Sequence, residues 1–450
     1  MKKTSLFSAG LLGLLLTVSG CRSYTDKNIV SAKAPFQNIV QQAGRKVFPA
    51  LVYIKVVQEN LGSGRQSSAS SSGSGVIISA EGEIVTNWHV IDKAVSIRCL
   101  LNDGRAFDAE LIGSDKDTDL ALLKLKLPPD KLLYCAEFAD AAPSEGEFVM
   151  ALGAPWGLNR SISIGIISCA RRYLPGHSEY SLWYQTDAAI SPGNSGGPLI
   201  NTDGKIIGIN TLGMFAAGAL AFTIPADTVK VVLERLRKYR KANWAWFGLR
   251  LQPLRDFERN VYLPYQQGVL VAGTEAGSPA QRAGFIGNDL LLQINGEAIT
   301  AETAEALPGI YRKLGLMEFG RKVDFTIERE GRKLVLQCAP TEKGKVEGDE
   351  VVCKQWGFTA KSINRFDNPN LHFYQPEGIF VFGVKKFSPA ARGGLLKDDI
   401  ILAVNNVPVK SLDGLLKIYV ERQAQSVLER RTLFKVMRNG AVLQLSLYME

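Results

Sequence analysis

At 450 residues, with 46% hydrophobic and 22% charged side chains, the chain is long enough for several domains, and its composition excludes a disordered or fibrous protein. The formal charge of +9 is spread along the chain, its densest run being Arg235 to Lys241, so it does not mark a nucleic-acid-binding protein. Beyond Cys21 the cysteines are Cys99, Cys135, Cys169, Cys338 and Cys353, an odd set without metal-ligand or disulfide-framework spacing.

The N-terminus carries Lys2-Lys3 before an apolar stretch from Leu6 to Val18, too short for a comfortable membrane span, which is the pattern of an export signal. It ends in "VSGC", Val18 to Cys21, which resembles the lipobox of bacterial lipoproteins. That resemblance implies acylation of Cys21, a membrane tether with Arg22 to Lys33 as polar spacer and, from Arg22 rather than Asp after the cysteine, the outer membrane. An ordinary signal peptide with a chance cysteine is the alternative.

From Val47 to about Thr223 short apolar strands alternate with turns, among them "LVYIKVV", "GVIIS", "LALLKL", "FVMALG", "KIIGINT" and "ALAFTIP". Many short strands without long helical periods predict barrels or a sandwich. Within this region "GSGRQSSASSSGSG", Gly62 to Gly75, reads as a flexible polar loop. After Pro225, apolar residues at Val229, Val232, Leu233, Leu236 and Tyr239 predict a surface helix with cations massed at its C-terminal end.

The character then changes to an internal repeat. "GVLVAGTEAGSPAQRAGFIGNDLLLQINGEAI" begins at Gly268, and "GIFVFGVKKFSPAARGGLLKDDIILAVNNVPV" begins at Gly378 and aligns without a gap. In each copy a strand leads to Ser278 or Ser388, placed to cap a short helix opened by Pro279 or Pro389. Gly284 or Gly394 stops the helix, and a strand carrying Asp289 or Asp399 follows. "PTEKGKVEGDEV", Pro340 to Val351, reads as a linker.

The stretch "ISPGNSGGPLI", Ile190 to Ile200, crowds glycines around Ser195. A turn explains the bend, but bare backbone on both sides of one hydroxyl is what a nucleophile needs if two N–H groups are to face a developing oxyanion. A nucleophilic serine needs a base, and there are 3 histidines. His177 lies in a loop without an apolar frame and His372 inside the second repeat, whereas His89 ends the strand-like "IVTNWHVI". Asp119, directly before "LALLKL", is placed to orient an imidazole, with Asp115 and Asp117 as solvated alternatives.

The order His89, Asp119, Ser195 is that of the chymotrypsin-like double barrel. Together "TNWHV", "DTDLALL", "GNSGGPL" and "AFTIP" resemble the HtrA/Deg family of envelope serine proteases, and the repeats resemble the PDZ domains of its two-PDZ members. The resemblance implies a mainly β chain. Its parts would be a signal peptide over 1–21, a tether over 22–35, a trypsin-like double β-barrel protease over 36–242, an α+β PDZ domain over 243–340, a linker over 341–352 and a second PDZ domain over 353–450. It implies Ser195 as nucleophile, His89 as general base, Asp119 as its orienter, the N–H groups of Gly193 and Ser195 as oxyanion hole, and no metal or cofactor. The residue six before the serine is Ala189, where trypsin-like pockets carry an acid, so Ala189, Ile190 and Leu212 are expected to form a small apolar specificity pocket, with Asp187 structural.

PDZ domains bind the C-termini of other polypeptides by strand addition, with a loop of backbone N–H groups receiving the carboxylate. The resemblance places those loops at Phe247, Gly248 and Leu249 in "WFGL" and at Gly357 and Phe358 in "WGF". Where bacterial members usually carry Arg-Gly before the first loop, this chain has Trp244-Ala245, which leaves an internal segment or a neighbouring domain as an alternative occupant. The resemblance further implies unfolded-protein or peptide substrates, homotrimers or larger cages held through Pro35 to Phe48, with Phe36 and Phe48 as contacts, and a lipid-anchored, periplasm-facing location. A non-catalytic chaperone or PDZ scaffold on the same fold is the rival reading.

Overall fold

The computed structural model describes residues 27–155, 160–214, 220–257, 259–424 and 431–448, with no side chains described for 27–35, 212 and 214; Cys21 and the export signal lie outside these. A helix, α1 (Lys27–Val47), leads into two closed barrels, so residues 27–35 of the expected spacer are helical. The first barrel comprises β1 (Leu51–Asn60), β2 (Ser67–Ile77), β3 (Glu83–Thr86), β4 (Ala94–Leu101), β5 (Ala106–Asp115) and β6 (Leu120–Leu125), in the order β1-β2-β3-β6-β5-β4. The second comprises β7 (Phe148–Gly153), β8 (Ser161–Arg172), β9 (Trp183–Thr186), β10 (Pro198–Ile200), β11 (Ile206–Met214) and β12 (Leu220–Pro225), in the order β10-β11-β12-β9-β8-β7.

Of the expected loop, Gly62 to Gln66 connect two strands, and the serine-rich part from Ser67 on is strand. Ser67 to Val76 pair residue for residue with β1, from Asn60↔Ser67 to Leu51↔Val76. Closure of the barrel requires a partner for β1 over its whole length, and a strand is defined by its backbone ladder, which serine supplies as well as valine does. The inner positions of this hairpin are filled from β1, where Val52, Ile54 and Val56 are fully buried. Helix α3 (Ala226–Tyr239) buries Val229, Val232, Leu233 and Leu236 against strands of both barrels and stops at Arg240, which adopts φ 63°.

The two repeats form separate sheets over cores of their own. The predicted caps form: Ser278 accepts from the Gln281 N–H at 3.1 Å and Ser388 from the Ala391 N–H at 3.2 Å. Asp289 and Asp399 lie directly before their strands rather than within them. Both are fully buried and each is paired with an arginine, Arg329 or Arg438, at 2.6 Å. Pairing with a cation offsets the cost of burying a carboxylate. In the second sheet the strand Glu350–Cys353, expected as linker and domain edge, pairs with Phe358–Ser362.

The junction between protease and repeats overturns the solvated reading of Asp115. This carboxylate is buried and accepts hydrogen bonds from the Trp244 indole at 3.1 and 3.2 Å and from the Thr118 hydroxyl at 2.6 Å. Trp244 in turn stacks on Tyr180 with ring centroids 4.2 Å apart. Lys343, only 5% exposed, reaches Asp117 at 2.9 Å and Glu179 at 3.4 Å. Burial opposes its charge, but Tyr180, Asp117 and Glu179 around it raise its pKa overall.

Burial, reinforced by Asp117, raises the Asp115 pKa from 3.8 to about 6. Between those values the folded chain keeps a proton that the unfolded chain has lost, so this group's contribution to stability falls as pH rises through the window. Asp115→Asn keeps an acceptor for Trp244 without the titration. Thermal unfolding at about pH 4 and about pH 7 should show the variant gaining on the parent, by about 1–3 kcal/mol.

Candidate active site

Pairing of β3 with β6, Thr86↔Ala121, sets the segments after Thr86 and before Leu120 side by side, and the Trp88 N–H donates to the Asp119 carbonyl at 3.1 Å. The short helix α2 (Trp88–Ile91) carries His89. Its Nδ1 lies 2.8 and 3.0 Å from the two Asp119 carboxylate oxygens, and its backbone N–H donates to Oδ1 at 3.0 Å. Asp119 adopts φ 56°, a left-handed conformation that aspartate tolerates better than most residues, and this turns its carboxylate back over the helix. The Thr211 hydroxyl also donates to Asp119 Oδ2. A carboxylate held by three donors fixes an imidazole with its Nδ1 protonated and its Nε2 available as a base.

Ser195 comes from the other barrel, on the loop before β10. Gly193 at φ 101° and Gly196 at φ 84° bend that loop, and a Cβ at Gly196 would stand 2.1 Å from the Ser74 carbonyl oxygen. The Asn194, Gly196 and Gly197 N–H groups donate to Ser191, Asn210 and Asn194 carbonyls at 2.9, 2.8 and 3.0 Å. The N–H groups of Gly193 and Ser195 donate to no protein acceptor among the described residues. Two unspent donors flanking one serine can hold an oxyanion. The Ser195 hydroxyl donates to the Thr211 carbonyl at 3.0 Å, so attack on a substrate requires rotation of this side chain toward the imidazole.

Two residues that the sequence reading missed complete the site. Ser74, fully buried on β2, donates its hydroxyl to the Gly193 carbonyl at 2.6 Å and accepts from the Ala154 N–H at 2.9 Å, while its own N–H donates to the Ser195 carbonyl at 2.8 Å. It ties the serine loop to the first barrel. Thr211 links the carboxylate and the serine. Both are ordinary residue types in strands, and no local pattern marks either.

The expected specificity residues are less concentrated. Ala189 is exposed, whereas Ile190 is 3% exposed and packed into the core of the second barrel with Val149 and Ile167; the Leu212 side chain lies outside the described residues. Asp187 is structural in its contacts, accepting the Ile166 N–H at 2.7 Å. His177 sits in a loop near Trp183, and His372 on the helix Pro369–Tyr374. Of the expected carboxylate-loop residues, Phe247, Leu249 and Phe358 point into the cores of their repeats, and the Gly357 N–H already donates to the Cys353 carbonyl at 2.8 Å. Among the described residues no cluster of His, Cys, Asp and Glu is placed to hold a metal.

Comparison with known proteins agrees with this geometry. Residues 73–209 match the family of trypsin-like peptidase domains and residues 380–418 the PDZ domain family. The chain is 33% identical over 363 residues to the periplasmic serine endoprotease DegP of Salmonella typhimurium, covering 79% of this chain and 73% of that one. It is 32% identical over 355 residues to the probable periplasmic serine endoprotease DegP-like of Brucella suis, covering 77% and 68%. Among solved structures, the HtrA-type protease AlgW with a decapeptide superposes with TM-score 0.58 at 29% identity, over 68% of this chain and 99% of that one. The serine endoprotease from Yersinia pestis does so with TM-score 0.53 at 29% identity, over 67% and 97%.

If Ser74 positions the oxyanion donors, Ser74→Ala should lower kcat about tenfold or more with KM little changed, since it leaves the Gly193 carbonyl free to turn. Steady-state kinetics on a fluorogenic peptide, with unfolding temperature as control, separates this from a loss of fold.

Proposed function

Because this chain belongs to the HtrA/DegP family of periplasmic serine endoproteases, we propose that His89, Asp119 and Ser195 are the catalytic triad of its serine-type endopeptidase activity, with the Gly193 and Ser195 N–H groups as oxyanion hole. The observation that carries the assignment is the Asp119 carboxylate held against both the ring and the backbone N–H of His89, across from a serine flanked by two unspent donors. Ser195 rotates from the Thr211 carbonyl to His89 Nε2, gives up its proton there and attacks the peptide carbonyl. The oxygen that becomes negative meets the two N–H groups, and the imidazolium, stabilised by Asp119, returns the proton to the leaving amine.

The substrates in this reading are unfolded or damaged exported proteins, cleaved after small aliphatic residues because Ala189 stands where trypsin-like pockets carry an acid, and the repeats bind or gate them. Cys21 is acylated and anchors the protein to the outer membrane, facing the periplasm. Exposed Phe36 on α1, which meets half-exposed Phe148 at 5.1 Å, supports an apolar contact between copies in a trimer. Phe48, half-buried beside the protein's own Arg160, is the second contact residue in this reading.

Incubation of the mature protein with unfolded casein should give fragments ending in Val or Ala, read by mass spectrometry. Ser195→Ala should reduce turnover by on the order of a million-fold. Labelling with radioactive palmitate should mark the parent and not Cys21→Ser; an unlabelled parent would rule out the lipid anchor.

A further inference from the structure

The two repeats share a pattern but not the state of their peptide grooves. In the second, the strand Glu350–Cys353 runs antiparallel along Phe358–Ser362, from Glu350↔Lys361 to Cys353↔Phe358, with the helix Leu412–Gln423 packed against it. Its last side chain, Cys353, is fully buried among Trp356, Phe358 and Tyr419, and its last carbonyl accepts the Gly357 N–H at 2.8 Å. A peptide whose C-terminus docks by strand addition would lie in this way, with its carboxylate where the Cys353 carbonyl stands. The groove of the second repeat is filled by the protein itself.

The first repeat has the same loop without the filler. Gly248 matches Gly357: a Cβ on either would stand 2.2 Å from the Cβ of Ser278 or Ser388. Yet the Gly248 N–H has no protein acceptor among the described residues, and the strand Leu249–Gln252 has no neighbour there on its outer edge. In front of it lies a cavity of about 220 Å³ with Leu249, Tyr311 and Leu314 as apolar wall. The wall is completed from the second repeat by Arg365, whose guanidinium lies 4.5 Å from the centroid of the Trp246 ring. The acids around the cavity have cations of their own: Glu275 with Arg250 at 3.6 Å and Glu179 with Lys343 at 3.4 Å. Arg365 has no carboxylate partner among the described residues.

We propose that peptide C-termini are received at a composite site in which the Gly248 loop of the first repeat is joined by Arg365 of the second, whose own loop is closed by Glu350–Cys353. The proposal rests on the reading that the repeats bind substrate peptides. Arg365 supplies here, from a distant part of the sequence, the cation missing at Trp244-Ala245. Held over Trp246, the guanidinium offers its fork to a carboxylate at little further entropic cost. The Tyr311 hydroxyl accepts the Leu251 N–H at 2.8 Å and so occupies the strand edge farther on, which limits recognition to the terminal residues of the ligand.

The test uses the mature full-length protein with Ser195→Ala, so that ligand survives. A short fluorescein-labelled peptide ending in Leu-Val with a free carboxylate, and its C-terminal amide, are titrated by fluorescence anisotropy and calorimetry. Expected are one site per protomer, preference for the free acid, about tenfold weaker binding of the acid in Arg365→Gln with the amide unchanged, and a smaller loss in Arg365→Lys. An acid-to-amide ratio untouched by Arg365→Gln overturns the role of Arg365 while leaving peptide binding by the repeats intact. Two equivalent sites per protomer overturn the closure of the second loop. Failure of both peptides to bind the parent overturns the underlying reading, and the composite site with it.

Discussion

One turn, Asp115 to Asp119, ties the His89 site to the segments on either side of the first repeat. Its last carboxylate clamps His89 and Thr211, its middle one takes Lys343 from beyond the first repeat, and its first takes the Trp244 indole at the entry to that repeat. The turn must therefore satisfy three acids within one short span, and each does so with a partner from a different element. Lys116, between them, pairs with Glu347 and lies 4.9 Å from the ring of Trp88, next to His89. The position of the Asp119 carboxylate is thus bound up with the docking of the repeats.

Such an arrangement is expensive in isolation. Burying Asp115 disfavours its charge, whereas for Lys343 the same burial is outweighed by Tyr180, Asp117 and Glu179 around it. What the network gives is discrimination between arrangements: any displacement of the repeats strands a charge or an indole N–H in a dry place, at a cost of about several kcal/mol. Hydrophobic contact alone would let the domains slide. The stacked Tyr180–Trp244 pair provides the apolar contact, and the acids fix its register.

The residues of the proposed triad could be picked out in the sequence because each has a local frame: a histidine ending an apolar strand, an aspartate opening another, a serine among glycines. What escaped was whatever depends on a partner far along the sequence. Asp115 and Asp119 look alike in sequence, and only Trp244, 129 residues away, makes the first a buried acid. Ser74 hides in a serine-rich run whose composition argues for a loop, while barrel closure makes the same run a strand whose hydroxyl meets Gly193. Ile190 fits a pocket wall by hydrophobicity, yet the loop after Thr186 packs it into the second-barrel core beside exposed Ala189.

The repeats carry the same lesson to the level of domains. Their shared cap, buried aspartate and partner arginine follow from the shared pattern, because those contacts are internal to each copy. The grooves differ because they are decided by what precedes each loop. Before Gly357 the backbone turns back as Glu350–Cys353 and lies in the groove, whereas before Gly248 the corresponding residues are drawn off to the protease by Trp244 and to Thr341–Glu342 by Ala245 and Trp246. A segment committed to joining domains cannot also fill a groove. The bolt that fastens the first repeat to the protease is therefore the reason that its loop stands open.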